Sequence, residues 1–99
     1  MTAYAIFLRD VPPHDPEGLA TYQAMNSANV PAFLPFGIKP LAVYGKISTL
    51  EGPAPDGVIV LRFPTVADAQ AWYDSPEYQS ALPYRINASE YRAFIIEGI

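Results

Sequence analysis

The chain has 99 residues, of which 51% are hydrophobic and only 16% charged, with a formal net charge of −4. That is too apolar for disorder, too poor in charge for a coiled coil, and the right length for a single domain over residues 1–99 with one core. Its six Lys and Arg are scattered singly, which argues against nucleic acid as a partner. The lack of cysteine excludes disulfides and thiolate metal sites, and no apolar run approaches the ~18 residues of a membrane span. The expectation is a soluble, cytoplasmic protein with no membrane partner.

Tyr4 to Leu8 is a short apolar run ending in charged Arg9-Asp10, and it reads as a first strand. After the breaker Val11-Pro12-Pro13-His14, Asp15-Pro16-Glu17 signals a helix start: Asp caps free N–H groups, Pro suits the first turn and Glu favours the positive end. The helix is predicted to run to about Val30, with Leu19, Tyr22, Asn26 and Val30 on one face. Pro31 and Pro35 bracket a turn at 32–34. Leu41 to Tyr44 begins a second strand, Gly45 is read as a bulge, and Lys46 to Leu50 as its continuation. Glu51 to Gly57 is a loop, and the β-branched run Val58 to Phe63 is a third strand that Pro64 stops.

Thr65 with Asp68 has the form of a capping box opening a helix to about Tyr73, and Ser75-Pro76-Glu77 repeats the cap-and-proline signal for another. Pro83 is expected to disturb that helix, because it lacks a backbone donor and crowds the preceding turn. Tyr91 to Ile96 closes the chain as a fourth strand. The order is βαββαβ, with the second helical element doubled. It fits an α+β, ferredoxin-like fold with a four-stranded antiparallel sheet.

Such a sheet has helices on one side only, so its other face should alternate apolar with polar residues if water covers it. Here Val58, Val60 and Arg62 oppose Ile59, Leu61 and Phe63, while Phe94 and Ile96 oppose Ala93 and Ile95. Both faces are mainly apolar. A homodimer meeting sheet to sheet is the economical way to cover the second one.

Phe63-Pro64-Thr65 and above all Ala71-Trp72-Tyr73-Asp74-Ser75-Pro76-Glu77-Tyr78-Gln79 carry a family resemblance. It extends to Leu41-Ala42-Val43-Tyr44-Gly45, Leu50-Glu51-Gly52-Pro53, Tyr84-Arg85, Tyr91-Arg92 and Glu97-Gly98. Together these segments resemble the family called domain of unknown function 1330. The resemblance implies a ferredoxin-like fold and a dimeric α/β-barrel assembly, and it supplies no activity. Wider relatives of that fold include cofactor-free monooxygenases, small decarboxylases and lactone isomerases.

Among the candidate residues, His14 is the only histidine and so the one side chain that titrates near neutrality unaided. Placed before the first helix, it could serve as general acid or base, although a solvated loop histidine is the commoner case. Arg85 follows a long aromatic stretch near the expected cleft. There a guanidinium can clamp a carboxylate or enolate, or else pair structurally with Asp74 or Glu77. Tyr22 and Tyr44 are the tyrosines that could move a proton. Asn26, four residues after Tyr22 on a face expected to be buried, needs a partner and points to a small-molecule pocket.

Trp72 and Tyr73 are adjacent on one helix, so they face directions about 100° apart. One can be core while the other lines the pocket, and Tyr84 completes the aromatic set. Arg62 is read as a strand-end residue, and Ser75 as a helix cap rather than a nucleophile. A single His without Cys leaves no metal ligand set, and no cofactor is expected. The function expected is that of a small cofactor-free enzyme. It would act on an anionic or aromatic metabolite by proton transfer, as in isomerisation, lactone opening or decarboxylation. The alternative is a non-catalytic ligand-binding or interaction dimer.

Overall fold

The computed structural model describes residues 1–99 as four strands and their covering helices. In chain order these are β1 (Ala3–Arg9), α1 (Pro16–Ala28), the single turn α2 (Val30–Phe33), a 3₁₀ turn (Leu34–Phe36), β2 (Lys39–Val43), β3 (Gly57–Phe63), α3 (Val66–Asp74), α4 (Pro76–Ala88) and β4 (Arg92–Glu97). The strands form one antiparallel sheet in the order β2-β3-β1-β4. This is the α+β, ferredoxin-like topology expected from the element order.

Local chemistry sets the helix starts. Asp15 Oδ1 accepts from the Gly18 N–H at 3.0 Å, Thr65 Oγ1 from the Asp68 N–H at 3.0 Å, and Ser75 Oγ from the Tyr78 N–H at 3.3 Å. Each cap satisfies a backbone donor that the first helical turn leaves free. The helices then bury their apolar flanks on the sheet face carrying Ala3, Ala5, Phe7, Leu61 and Phe63. Trp72 is the hub of this core, with ring centroids 4.4 Å from Tyr78, 5.4 Å from Phe63, 6.0 Å from Phe33 and 6.2 Å from Phe7.

Three expectations are corrected. The first helix ends at Ala28, and Val30 starts the separate turn α2, where Pro31 sits in a first turn that has no donor to lose. The second strand begins earlier, at Lys39, and its irregularity lies between Pro40 and Ala42 rather than at Gly45. It ends at Val43 because Tyr44 adopts a left-handed backbone, φ 53°, so Lys46 to Leu50 is not a strand. Finally, α4 runs unbroken through Pro83. That residue faces water, where the carbonyl it deprives of a donor can be hydrated, while Tyr78, Ala81, Leu82, Arg85 and Ala88 bury the opposite flank.

The molecule is only 17 Å deep against 34 and 32 Å in its other dimensions, the thickness of one sheet under one layer of helices. The far face of the sheet is uncovered. Register places Tyr4, Ile6 and Leu8 beside Val58, Val60, Phe94 and Ile96 on it, with Phe94 46% and Ile96 51% exposed. Arg62 also falls on this face, opposite Tyr4 near the end of β3.

Candidate active site

A cavity of about 470 Å³ opens between α1 and the β1-β3-β2 part of the sheet. Phe7, Ile59 and Leu61 rise from the strands, Tyr22 and Asn26 descend from α1, and Phe33 and Trp72 close one end. The wall is mainly apolar, and no carboxylate, amine, guanidinium or imidazole stands on it. Asn26 brings a buried Oδ1 without a hydrogen-bond partner, and the Trp72 indole N–H is likewise unpaired. A second cavity, about 500 Å³, lies under α3 against β1 and β4, and Phe7 and Trp72 separate the two by lining both.

Behind the first cavity stands Arg85, 6% exposed on the inner flank of α4. Its guanidinium carbon lies 5.4 Å from the Phe7 ring centre, 5.8 Å from Tyr22 and 5.1 Å from Tyr91. The two ion pairs of the chain are Arg9–Asp56 and Arg92–Asp10, so Arg85 pairs with neither Asp74 nor Glu77. Its Nε has no hydrogen-bond partner. Aromatic faces attract a guanidinium by about 0.5–2 kcal/mol each. They do not neutralise its charge. Beside it, the Tyr22 and Tyr78 hydroxyls are bonded at 2.9 Å. Burial, with the neighbouring Tyr22, pushes the Tyr78 hydroxyl far above the ordinary tyrosine value against an opposing pull from the nearby Arg85 guanidinium.

Tyr44 stands on the wall of the first cavity. From the end of β2 its ring crosses the sheet over Gly57, where a Cβ would lie 2.8 Å from Tyr44 Cδ1 and 3.2 Å from Arg9 Nη2. Only glycine leaves room for that crossing. The Tyr44 and Tyr91 hydroxyls are hydrogen-bonded to each other, Tyr91 accepts from Arg9 Nη1 at 3.1 Å, and Arg9 Nε donates to Asp56 Oδ2 at 2.7 Å. The Arg9 guanidinium carbon also lies 4.9 Å from the Tyr44 ring centre. Burial pushes the Tyr44 hydroxyl far above its ordinary value. It carries its proton at neutral pH, as an ordinary tyrosine does.

The family described as Domain of unknown function (DUF1330) matches residues 2–99. The chain belongs to it. None of the curated proteins compared with this DUF1330 member matches it. A solved protein of unknown function from Rhodopseudomonas palustris is 22% identical, with a TM-score of 0.70 over 99% of this chain and 82% of the other. A dimeric ferredoxin-like protein of unknown function from Thermobifida fusca is 21% identical, with a TM-score of 0.66 over 97% and 90%. SnoaB, a cofactor-independent oxygenase from Streptomyces nogalater, is 10% identical, with a TM-score of 0.53 over 99% and 91%. At these identities the likeness is one of fold.

Of the residues singled out in the sequence of this DUF1330 protein, Tyr22, Tyr44, Asn26 and Trp72 meet on one cavity wall, with Arg85 behind it. Tyr73 lines the second cavity and packs on Tyr78 at 5.2 Å. Tyr84 is 46% exposed on the outer side of α4. His14 lies on an exposed loop, where its Nε2 donates to the Asn87 carbonyl at 2.7 Å and ties the loop to the end of α4. It lines neither cavity. Arg9, Asp56, Gln23 and Tyr91 were not picked out from the sequence. The strand order alone would have brought two of them together, since Leu8 pairs with Arg92 and so sets Arg9 beside Tyr91.

Proposed function

We propose that the cavity beneath α1 binds a small anionic or aromatic metabolite, and that the protein is a cofactor-free enzyme acting on it. Arg85 carries this reading, as a buried cation with no ion partner directly behind the cavity wall. Removing a charge from water costs several kcal/mol, and a fold selected for stability alone would pair it or replace it. A ligand anion supplies the missing charge. At about 8 Å and an effective dielectric near 20 the attraction is on the order of 2 kcal/mol, about thirty-fold in affinity.

The absence of a base on the wall narrows the chemistry. Lactone opening needs an activated water, for which the cavity offers no acceptor of protons. Decarboxylation and enol isomerisation fit better. In the first, the carboxylate leaves as carbon dioxide and its bonding pair stays on the substrate. In the second, an acidic substrate proton goes to solvent water, Arg85 and the tyrosine donors stabilise the resulting anion, and solvent returns a proton at a different atom to complete the isomer. The cofactor-independent chemistry of SnoaB on the same fold is support by analogy only. The same missing base favours a second reading, a non-catalytic binder, which would give saturable binding without turnover. A thermal-shift screen against benzoate, salicylate and 4-hydroxybenzoate tests the site: at a hundredfold excess over Kd, a ligand of the folded state adds about 2.7 kcal/mol. No shift with any of them would sink the proposal.

The open sheet face supports a second proposal, a homodimer. Ile6, Val60 and Phe94 would meet the same face of a second copy, as two-fold pairing requires. The Thermobifida fusca protein of the same fold is described as dimeric. Val60→Asp, placing a carboxylate in the middle of that face, is expected to halve the mass read by light scattering at micromolar concentration. An unchanged mass for the variant, or a monomeric parent, would refute this interface.

A further inference from the structure

In the polar network beside the cavity, one of the two phenolic protons has no partner. Arg9 can only donate, and its Nη1 gives a hydrogen to the Tyr91 oxygen. The bond between Tyr91 and Tyr44 consumes one of the two phenolic protons. The other is left over. An oxygen that accepts from a cation makes its own O–H a stronger donor, so the favoured sense runs from Arg9 to Tyr91 to Tyr44. The surplus proton is then on Tyr44, the member of the chain that stands on the cavity wall. Gln23 stands on the same wall.

Three independent features hold Tyr44 in this place. Its backbone has the only positive φ outside glycine, a conformation that costs a tyrosine on the order of 1 kcal/mol and that recurs at functional sites. The space over Gly57 admits the ring, and Tyr91 and Arg9 fix the hydroxyl. Asp56 in turn anchors Arg9. A tyrosine needed only for packing would need none of the polar apparatus.

We propose that Tyr44, positioned and polarised by Tyr91, Arg9 and Asp56, is a hydrogen-bond donor for a ligand oxygen that carries negative charge, and that the ligand class is therefore a phenol or enolisable carbonyl compound bound as its phenolate or enolate. This rests on the reading of the cavity as a small-molecule site, and deepens it from an anion of any kind to an oxyanion at a defined end. The Tyr44 proton stays on Tyr44 in the complex, so no group is transferred. Arg85 supplies unspecific positive charge from behind the wall, and Tyr44 supplies the directed bond. Tyr91, Arg9 and Asp56 act through Tyr44 as positioning residues.

The test uses 4-nitrophenol, whose phenol and phenolate forms absorb differently, titrated between free and protein-saturated states. The bound probe should ionise at least one pH unit lower than the free one, a tenfold preference for the phenolate. Tyr44→Phe should abolish most of that shift. Tyr91→Phe, which keeps the Tyr44 hydroxyl but cuts it from Arg9, should leave a smaller shift than the parent protein shows. This spectroscopic readout does not move with a purely structural loss. Binding of the neutral phenol, no binding of the probe, or an unaltered shift in Tyr44→Phe would each overturn the assignment. Benzoate distinguishes the two levels: if it still raises the melting temperature in an Arg85-dependent way, only the Tyr44 donor falls. If benzoate and 4-nitrophenol both fail to bind, the cavity reading falls with it.

Discussion

Trp72→Ala is expected to lower the melting temperature by about 20 °C, the largest effect of any single truncation in this chain. Removing a buried aromatic side chain costs about 3–5 kcal/mol, and in a domain of this size each kcal/mol moves the midpoint by about 4–8 °C. Trp72 belongs at the top of that range because four other rings pack on it, from both the sheet and the helices. It also stands between two existing voids of about 470 and 500 Å³. The truncated side chain would merge them, so the neighbours cannot collapse into the gap from either side. Trp72→Phe should cost far less, because the indole N–H it discards has no hydrogen-bond partner. Indole added to the alanine variant should recover part of the lost melting temperature, as apolar cavities take up fitting apolar ligands. A loss of only a few degrees in Trp72→Ala would mean that the two cavities are already loosely walled.

The parts of the fold that were legible in the sequence are those decided within a few residues. Asp15, Thr65 and Ser75 cap their own helices, and Pro16 and Pro76 sit where a first turn has no donor to lose. The two-sided apolarity of Val58 to Phe63 marked the sheet face that the helices leave open. What failed was decided at a distance. The end of β2 depends on Tyr44, whose ring and hydroxyl are held by Gly57 and by Tyr91, 47 residues away. Pro83 is harmless because of its phase on α4, and that phase is defined by which flank meets the sheet. The site divides in the same way. Tyr22 and Asn26 were recoverable from their spacing on one helix. Arg9 and Tyr91 looked like strand-end residues and meet only through strand pairing. His14 attracted attention by its chemistry alone, and its hydrogen bond to Asn87 gives it a tethering position.

Arg85→Met should separate the stability of this protein from its ligand binding. A buried cation in a structural ion pair leaves an uncompensated partner when it is removed, at a cost of about 3–5 kcal/mol. Arg85 has no such partner to strand. Methionine approximates its stem, fills the space among Phe7, Tyr22 and Tyr91, and keeps favourable sulfur–aromatic contacts in place of cation–π attraction. Relief of the buried charge offsets the lost attraction, so the melting temperature should hold within a few degrees or rise. Benzoate affinity should fall about thirty-fold, the factor that follows from on the order of 2 kcal/mol of uncompensated Coulomb attraction. Affinity for a neutral analogue such as benzamide should change little, because it feels the charge only through its dipole. A melting temperature that collapses in step with binding would make Arg85 a structural residue, with its aromatic cage the reason for its burial. A stable variant with undiminished benzoate affinity would place the anion site elsewhere. Stability retained with affinity lost is the outcome that joins the fold to the function. The ferredoxin-like scaffold would then be carrying a charge that its own packing does not need, at the back of a cavity that has no other.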